Sequence, residues 1–189
     1  MRLILASASP RRQELLRLIT EDFTVRVSRA DETTQEKDPA AMVRELAEKK
    51  ARAVAAEPDL PPDAWIIGAD TVVWAKGQIL GKPKDEADAL RMMRLLSGGS
   101  HEVHTGLCVI APGRVCTESC RTLVHFAALS PAELAAYMAT GDWADKAGAY
   151  GIQSAAARFV TGIEGCYYNV MGFPVQQLYA LLRRMGARF

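Results

Sequence analysis

The sequence predicts an α/β fold built on a mixed β-sheet, and three observations carry that expectation. The apolar run RLILA is followed by an amphipathic helical stretch, which is the pattern of a strand, turn and helix unit. Elsewhere apolar runs succeed one another across brief turns, as in TVVWAKGQIL, which reads as a hairpin instead. Helices interleaved with both isolated strands and hairpins argue against a purely parallel sheet. The chain has 189 residues, 49% hydrophobic and 24% charged, enough for a full core in a single domain over 1–189, or in two tightly joined lobes.

The elements follow in order. After RLILA, Ser9 is placed to cap a helix with Pro10 at its first position, and Leu15, Leu16, Leu18 and Ile19 keep helical spacing. FTVRV alternates like a strand, and the polar VSRADETTQEKDP reads as a loop ending at Pro39, where a second helix begins and runs to about Glu57. PDLPPD is a turn cluster. AWIIGADTVVWA reads as two half-strands meeting at Gly68 to Thr71, with AKGQI closing a hairpin.

GKPKD is a rigid polar turn, and Asp85 caps a helix that turns Ala89, Leu90, Met92, Met93 and Leu96 inward before Gly98 and Gly99 stop it. HEVHTGLCVIAPGRVCTESCRTLVHFAAL gives two long strands joined by APGR. LSPAELAAYMATG is a helix capped by Ser130, DWADKAGAYGIQ a glycine-rich loop, FVTGIEGCYYNV a strand-like stretch and PVQQLYALLRRM a closing helix.

Charge and cysteine content exclude several function classes. Lys and Arg total 23 against 22 Asp and Glu, a formal net charge of +1, so no global field favours nucleic acid or an anionic membrane. No apolar run approaches the roughly 18 residues of a membrane span. The four cysteines form no CxxC pair and no signal peptide precedes them, which points to reduced thiols in a cytoplasm. Cys116 and Cys120 lack a second ligand pair at zinc spacing. HEVH fails as a zinc-protease motif, because His101 and His104 on a strand face opposite sides; a P-loop is absent from the sequence.

A handful of polar residues stand out. Asp70 in GADT follows an apolar strand, where a carboxylate either makes a tight turn or faces a cleft to hold a metal or orient water. Lys50 interrupts the helix stripe of Val43, Leu46, Ala47 and Val54; its stem either packs while the ammonium reaches water, or the ammonium enters a phosphate cleft. Lys82 in GKPKD and Glu32 in ADE each read alone as surface residues. Arg11 and Arg12 stand in a first helical turn, where cations are unfavourable by roughly 0.3 to 1 kcal/mol each unless an anion occupies that end. Lys146 and Gln153 lie in the glycine-rich loop, which has the composition either of a mobile lid or of an ordinary surface loop.

Taken together, LASASPRRQELL, DE at 31 to 32, KKARA, GADTVV, GKPKD, LSGGSHEVHTG, DKAGAYGIQ and EGCYYNVMGFP resemble the Maf family of nucleoside triphosphate pyrophosphatases, in family order across nearly the whole chain. The resemblance implies a Maf/ITPase-like fold: a twisted mixed β-sheet flanked by helices, with two lobes around a central nucleotide cleft. It also implies a homodimer and metal-dependent hydrolysis of a nucleoside triphosphate to the monophosphate and pyrophosphate.

Carried over by position, Asp70 is the proton acceptor that activates water, and Arg12, Thr71 and Gln153 set base preference. The same resemblance implies that Ser7, Arg11, Lys50 and Lys82 are phosphate ligands and that Glu32 with Asp70 holds Mg²⁺ or Mn²⁺. Thr71 after the aspartate and Gln153 in GIQ are similar to the branch that hydrolyses dTTP and UTP. Cys166 departs from the family, which commonly has a polar residue there. The alternative is a nucleotide-binding regulator of septum formation that senses triphosphates without hydrolysing them.

Overall fold

The structure is a computed structural model that describes residues 1–189. Seven strands form one sheet: β1 (Arg2–Leu5), β2 (Phe23–Val25), β3 (Ala64–Ala75), β4 (Gln78–Leu80), β5 (Ser100–Ala111), β6 (Arg114–Phe126) and β7 (Val160–Glu164). Their order is β2-β1-β3-β5-β6-β7, with β4 paired to β3. β1 runs parallel to β2 and β3, whereas β4 on β3 and β7 on β6 are antiparallel, so the sheet is mixed as expected. Six helices accompany it: α1 (Pro10–Arg17), α2 (Pro39–Ala55), α3 (Glu86–Leu96), α4 (Pro131–Met138), α5 (Tyr167–Val170) and α6 (Val175–Arg184).

The chain divides into two compact units, the first comprising Met1–Asp70, Thr105–Cys120 and Gly172–Phe189, the second Thr71–His104 and Arg121–Met171. In the first unit β1, α1 and β2 form the expected strand-helix-strand start. Leu15 and Leu16 are buried, but α1 stops at Arg17, which leaves Leu18 61% exposed and outside the predicted stripe. FTVRV contributes only the three residues of β2. Asp38 caps α2 by accepting the Ala41 N–H at 2.8 Å, and Pro39 opens the helix. Ile4, Ala6, Ala47, Ala51, Val54, Ile66 and Cys108 form a core beneath α2. Leu178, Leu181 and Leu182 bury one face of α6.

The second unit holds a larger apolar cluster. Ala89, Met92, Met93 and Leu96 of α3 join Val73, Phe126, Tyr137, Tyr150 and Phe159 there. Edge-on aromatic contacts order it: the ring centroids of Phe126 and Tyr150 are 4.9 Å apart, and those of Tyr137 and Phe159 5.6 Å. Asp85 caps α3, and Ser130 with Glu133 makes a reciprocal capping box on α4. Lys76 and Gly77 take positive φ in the tight turn between β3 and β4, so the hairpin at AKGQI is as read from sequence.

Two strand boundaries expected from the sequence fail for local reasons, and a third segment is settled by its own contacts. GADT does not separate two half-strands, because β3 runs unbroken through all 12 residues from Ala64 to Ala75. EGCYYNV does not extend the last strand; β7 ends at Glu164, Gly165 turns at φ 129°, and Tyr167–Val170 coil into α5. The glycine-rich loop is tied down: Lys146 donates to the Asp142 carbonyl at 2.5 Å and pairs with its carboxylate at 3.0 Å, and Tyr150 is buried. Two short 3-10 turns, Ala147–Ala149 and Ala155–Phe159, shape that segment.

Candidate active site

The site in the first unit begins with two missing side chains. Gly68 on β3 and Gly106 on the neighbouring β5 lie under α2: a Cβ added at Gly68 would meet the Ala47 carbonyl at 2.2 Å, and one at Gly106 would meet the Val43 carbonyl at 2.0 Å. Only glycine lets the helix backbone come this close. Alternation along a strand puts Asp70 on the same face as Gly68, two residues on. Helical spacing puts Lys50 on the same side as Ala47, one turn further along. Close approach of helix and strand therefore carries Lys50 onto Asp70.

The result is a bond from Lys50 Nζ to Asp70 Oδ1 at 2.6 Å, with the two side chains only 12% and 11% exposed. Lys50 thus does not send its ammonium to bulk water, and Asp70 does not form a turn. The same ammonium lies 3.1 Å from Glu32 Oε2, whose side chain is 63% exposed. One lysine links a carboxylate on the sheet to a carboxylate on the loop between β2 and α2.

Arg12 forms the next wall. Its Nε donates to the Gly172 carbonyl at 3.0 Å and one terminal nitrogen donates to the Ala69 carbonyl at 2.8 Å and to Ser7 Oγ at 3.4 Å. Burial pushes the guanidinium below the ordinary arginine range, while the negative charges of Asp70 and Glu32 oppose that shift. It remains a cation at neutral pH. Ser7 is buried, and its Oγ also accepts the Ser9 N–H at 3.2 Å. Ser9 makes no side-chain cap on α1, contrary to the sequence expectation. Arg11 is half-buried at the start of the same helix.

Ser7, Arg12, Glu32, Lys50 and Asp70 are therefore assembled by one unit of the chain. Thr71, Lys82 and Gln153 belong to the other unit. Thr71 continues β3 and is half-buried; Lys82 is exposed in the turn after β4; Gln153 is exposed between the two 3-10 turns.

Glu32 and Asp70 are hard oxygen donors converging on one cation, which suits Mg²⁺ or Mn²⁺ held by one or two carboxylates plus phosphate oxygens and water. The chain supplies no cluster of three or more His, Cys, Asp or Glu able to hold a metal ion. The donor set fits a metal shared with a polyphosphate and does not fit a closed structural site.

Sequence reasoning missed the contributions made by backbone. The carbonyls of Ala69 and Gly172 accept from Arg12, and no side-chain pattern announces them. Asn169 in EGCYYN was also unassigned; fully buried, it donates to the Val103 carbonyl at 3.0 Å and to Thr122 Oγ1 at 2.9 Å. Its sequence signal is an amide set between Tyr168 and Val170 in EGCYYNV. Cys166 engages Thr122 through its main chain, its N–H donating at 3.0 Å, so its departure from the polar residues common at that position leaves this contact intact.

The fold and sequence have clear relatives. A solved structure of the Staphylococcus aureus Ham1 protein aligns over 98% of this chain and 100% of that one with a TM-score of 0.56 and 13% identity, a likeness of fold alone. A protein of Koribacter versatilis named dTTP/UTP pyrophosphatase is 50% identical over 98% of this chain and 95% of its own. Proteins of the same name from Moorella thermoacetica and Clostridium acetobutylicum are 50% and 46% identical, each over 98% of this chain and 95% and 98% of theirs. The Maf-like protein family model matches residues 2–185, and on both grounds the chain belongs to that family.

Proposed function

We propose that the chain is a metal-dependent nucleoside triphosphate pyrophosphatase that hydrolyses dTTP and UTP to the monophosphate and pyrophosphate. The observation that carries this is the array Glu32–Lys50–Asp70 beside a half-buried Arg12, on a chain half identical to proteins named for that activity. A triphosphate brings about four negative charges, which a neutral protein binds only by concentrating cations locally. Lys50, Arg11 and Arg12 do so in the first unit. The two arginines at the start of α1 then face the charge that a helix N-terminus favours.

In the reaction, water attacks the α-phosphorus, the bond from that phosphorus to the oxygen bridging to the β-phosphate breaks, and pyrophosphate leaves with the bonding pair. Asp70 takes the proton of the attacking water, and the cationic side chains stabilise charge on the leaving group. Glu32 and Asp70 would hold a divalent ion, which when bound would polarise phosphate oxygens and lower the pKa of water. Arg12, Thr71 and Gln153 discriminate the base. The active species is a cytoplasmic homodimer, which light scattering on the purified protein tests.

A panel of triphosphates with added Mg²⁺ or Mn²⁺ and pyrophosphate detection tests the activity. The expected result is one pyrophosphate per monophosphate from dTTP and UTP, with CTP and GTP slower. Tight nucleotide binding without pyrophosphate release refutes it and favours a regulator that only senses triphosphates.

A further inference from the structure

The Lys50 ammonium sits where a metal shared by Glu32 and Asp70 would sit electrostatically: it already satisfies both carboxylates, at 3.1 and 2.6 Å. Two cations cannot both be neutralised by the same two carboxylates without mutual repulsion. The chain also supplies no third acidic, histidine or cysteine ligand to hold a metal ion there. A divalent ion arriving alone thus faces a competing cation and an incomplete set of donors.

A polyphosphate removes both obstacles. Its oxygens complete the donor set, and its charge gives Lys50 another anion to bind. Lys50 is well suited to such a transfer, since an ammonium is a compact point charge on a flexible four-carbon stem, free of the fixed fork that commits an arginine to one geometry. It is also anchored at its base, because α2 is pressed onto β3 at Gly68, so only the side chain moves.

We propose that Lys50 is a latch that couples metal binding to nucleotide binding: with the nucleotide absent it closes the Glu32–Asp70 pair to divalent cations, and on transfer to phosphate it opens that pair. The inference rests on the metal reading above and adds an order to it, in which metal and nucleotide strengthen each other's binding reciprocally. An enzyme built this way does not strip metal from solution when substrate is scarce, and it does not assemble its reaction centre around metal alone.

The test is Mn²⁺ binding, read by the loss of the free-ion electron paramagnetic resonance signal, in the whole protein with and without α,β-methylene-UTP, a non-hydrolysable analogue. Titrations of analogue alone into Mn²⁺ are subtracted. In the wild type the analogue should tighten Mn²⁺ binding by roughly 5- to 150-fold, the usual span of coupling between two sites. Lys50→Met should tighten nucleotide-free Mn²⁺ binding by about tenfold and shrink the coupling accordingly. Equal Mn²⁺ affinity with and without analogue in the wild type overturns the latch, whatever the variant does; so does a Lys50→Met protein, folded by circular dichroism, whose nucleotide-free affinity is unchanged or weaker. Glu32→Gln separates the two levels of the argument: if it leaves Mn²⁺ binding in the analogue complex untouched, the carboxylate pair is not the metal site and the underlying reading fails. If it weakens that binding while Lys50→Met changes nothing, only the latch fails.

Discussion

Replacing Gly68 with alanine tests how the site is built. The new methyl carbon would lie 2.2 Å from the Ala47 carbonyl oxygen and 2.9 Å from Ala51 Cβ and N, whereas ordinary contact begins at 3.4 Å. The obstacle is helix backbone, which cannot rotate away, so α2 must retreat by about 1.2 Å at this point, the difference between 3.4 and 2.2 Å. Overpacking of this kind costs about 1 to 3 kcal/mol. For a chain of this length that lowers Tm by about 2 to 12 °C. Lys50 rides on the displaced helix, and a misplacement of about 1 Å at a reacting centre costs on the order of 100-fold in turnover.

Thermal unfolding and pyrophosphate release, measured on Gly68→Ala and on Gly99→Ala, give the answer. Gly99 is the control because an added Cβ there meets nothing nearer than 3.9 Å. A Gly68→Ala protein that matches the control in both Tm and turnover refutes the claim that helix-to-strand approach positions the Lys50–Asp70 pair.

Other substitutions probe the remaining parts. Asp70→Asn keeps the shape of the side chain but cannot accept a proton, so turnover should fall by about 10² to 10⁴ with the circular dichroism spectrum unchanged; near-normal hydrolysis of dTTP excludes Asp70 as the base. Arg12→Gln should lower stability by about 1 to 3 kcal/mol, as buried carbonyls of Ala69 and Gly172 lose a donor, and should alter the relative rates on UTP, CTP and GTP; unchanged ratios remove it from base selection. Burial pushes His101, only 2% exposed, from its ordinary 6.5 down to about 4. The unfolded chain then binds a proton that the folded one refuses, so stability falls as pH drops from about 6.5 to 4, by on the order of 3 kcal/mol for this residue. His101→Gln, which retains a partner for the Tyr150 hydroxyl 2.8 Å away, should flatten the Tm curve over that window; parallel curves for the two proteins show that His101 is not responsible.

Lys50 and Asp70 were easier to single out than the path of the backbone that brings them together. Lys50 showed itself by breaking an apolar helix stripe, and Asp70 by ending a run of apolar residues. Both signals were present because a charge among apolar neighbours needs a partner. Gly68 was misread as a break between half-strands, since local rules see a flexible residue and cannot see a helix lying above it. Gly106 gave no signal within HEVHTGLCVI for the same reason. The loop at DKAGAYGIQ has glycines that suit a lid or an ordinary surface loop equally; Tyr150 and Ala149 are buried and Gly148 packs against Val73, contacts that composition does not reveal. EGCYYNV carries strand-forming residues but makes α5, where Asn169 bonds to Val103 and Thr122 far away in sequence.

Arg12 carries a lesson about which changes this protein tolerates. Two of its acceptors are main-chain oxygens, those of Ala69 and Gly172, and every amino acid owns such an oxygen. What the guanidinium demands of these positions is a course through space, and the identity of the side chain attached is left to other constraints. Substitutions at position 69 are therefore limited by the crowded interior, where Ala69 is fully buried, and not by the arginine. Such an anchor survives sequence drift on its partners' side, while Arg12 itself, as sole owner of the donors, has no equivalent freedom.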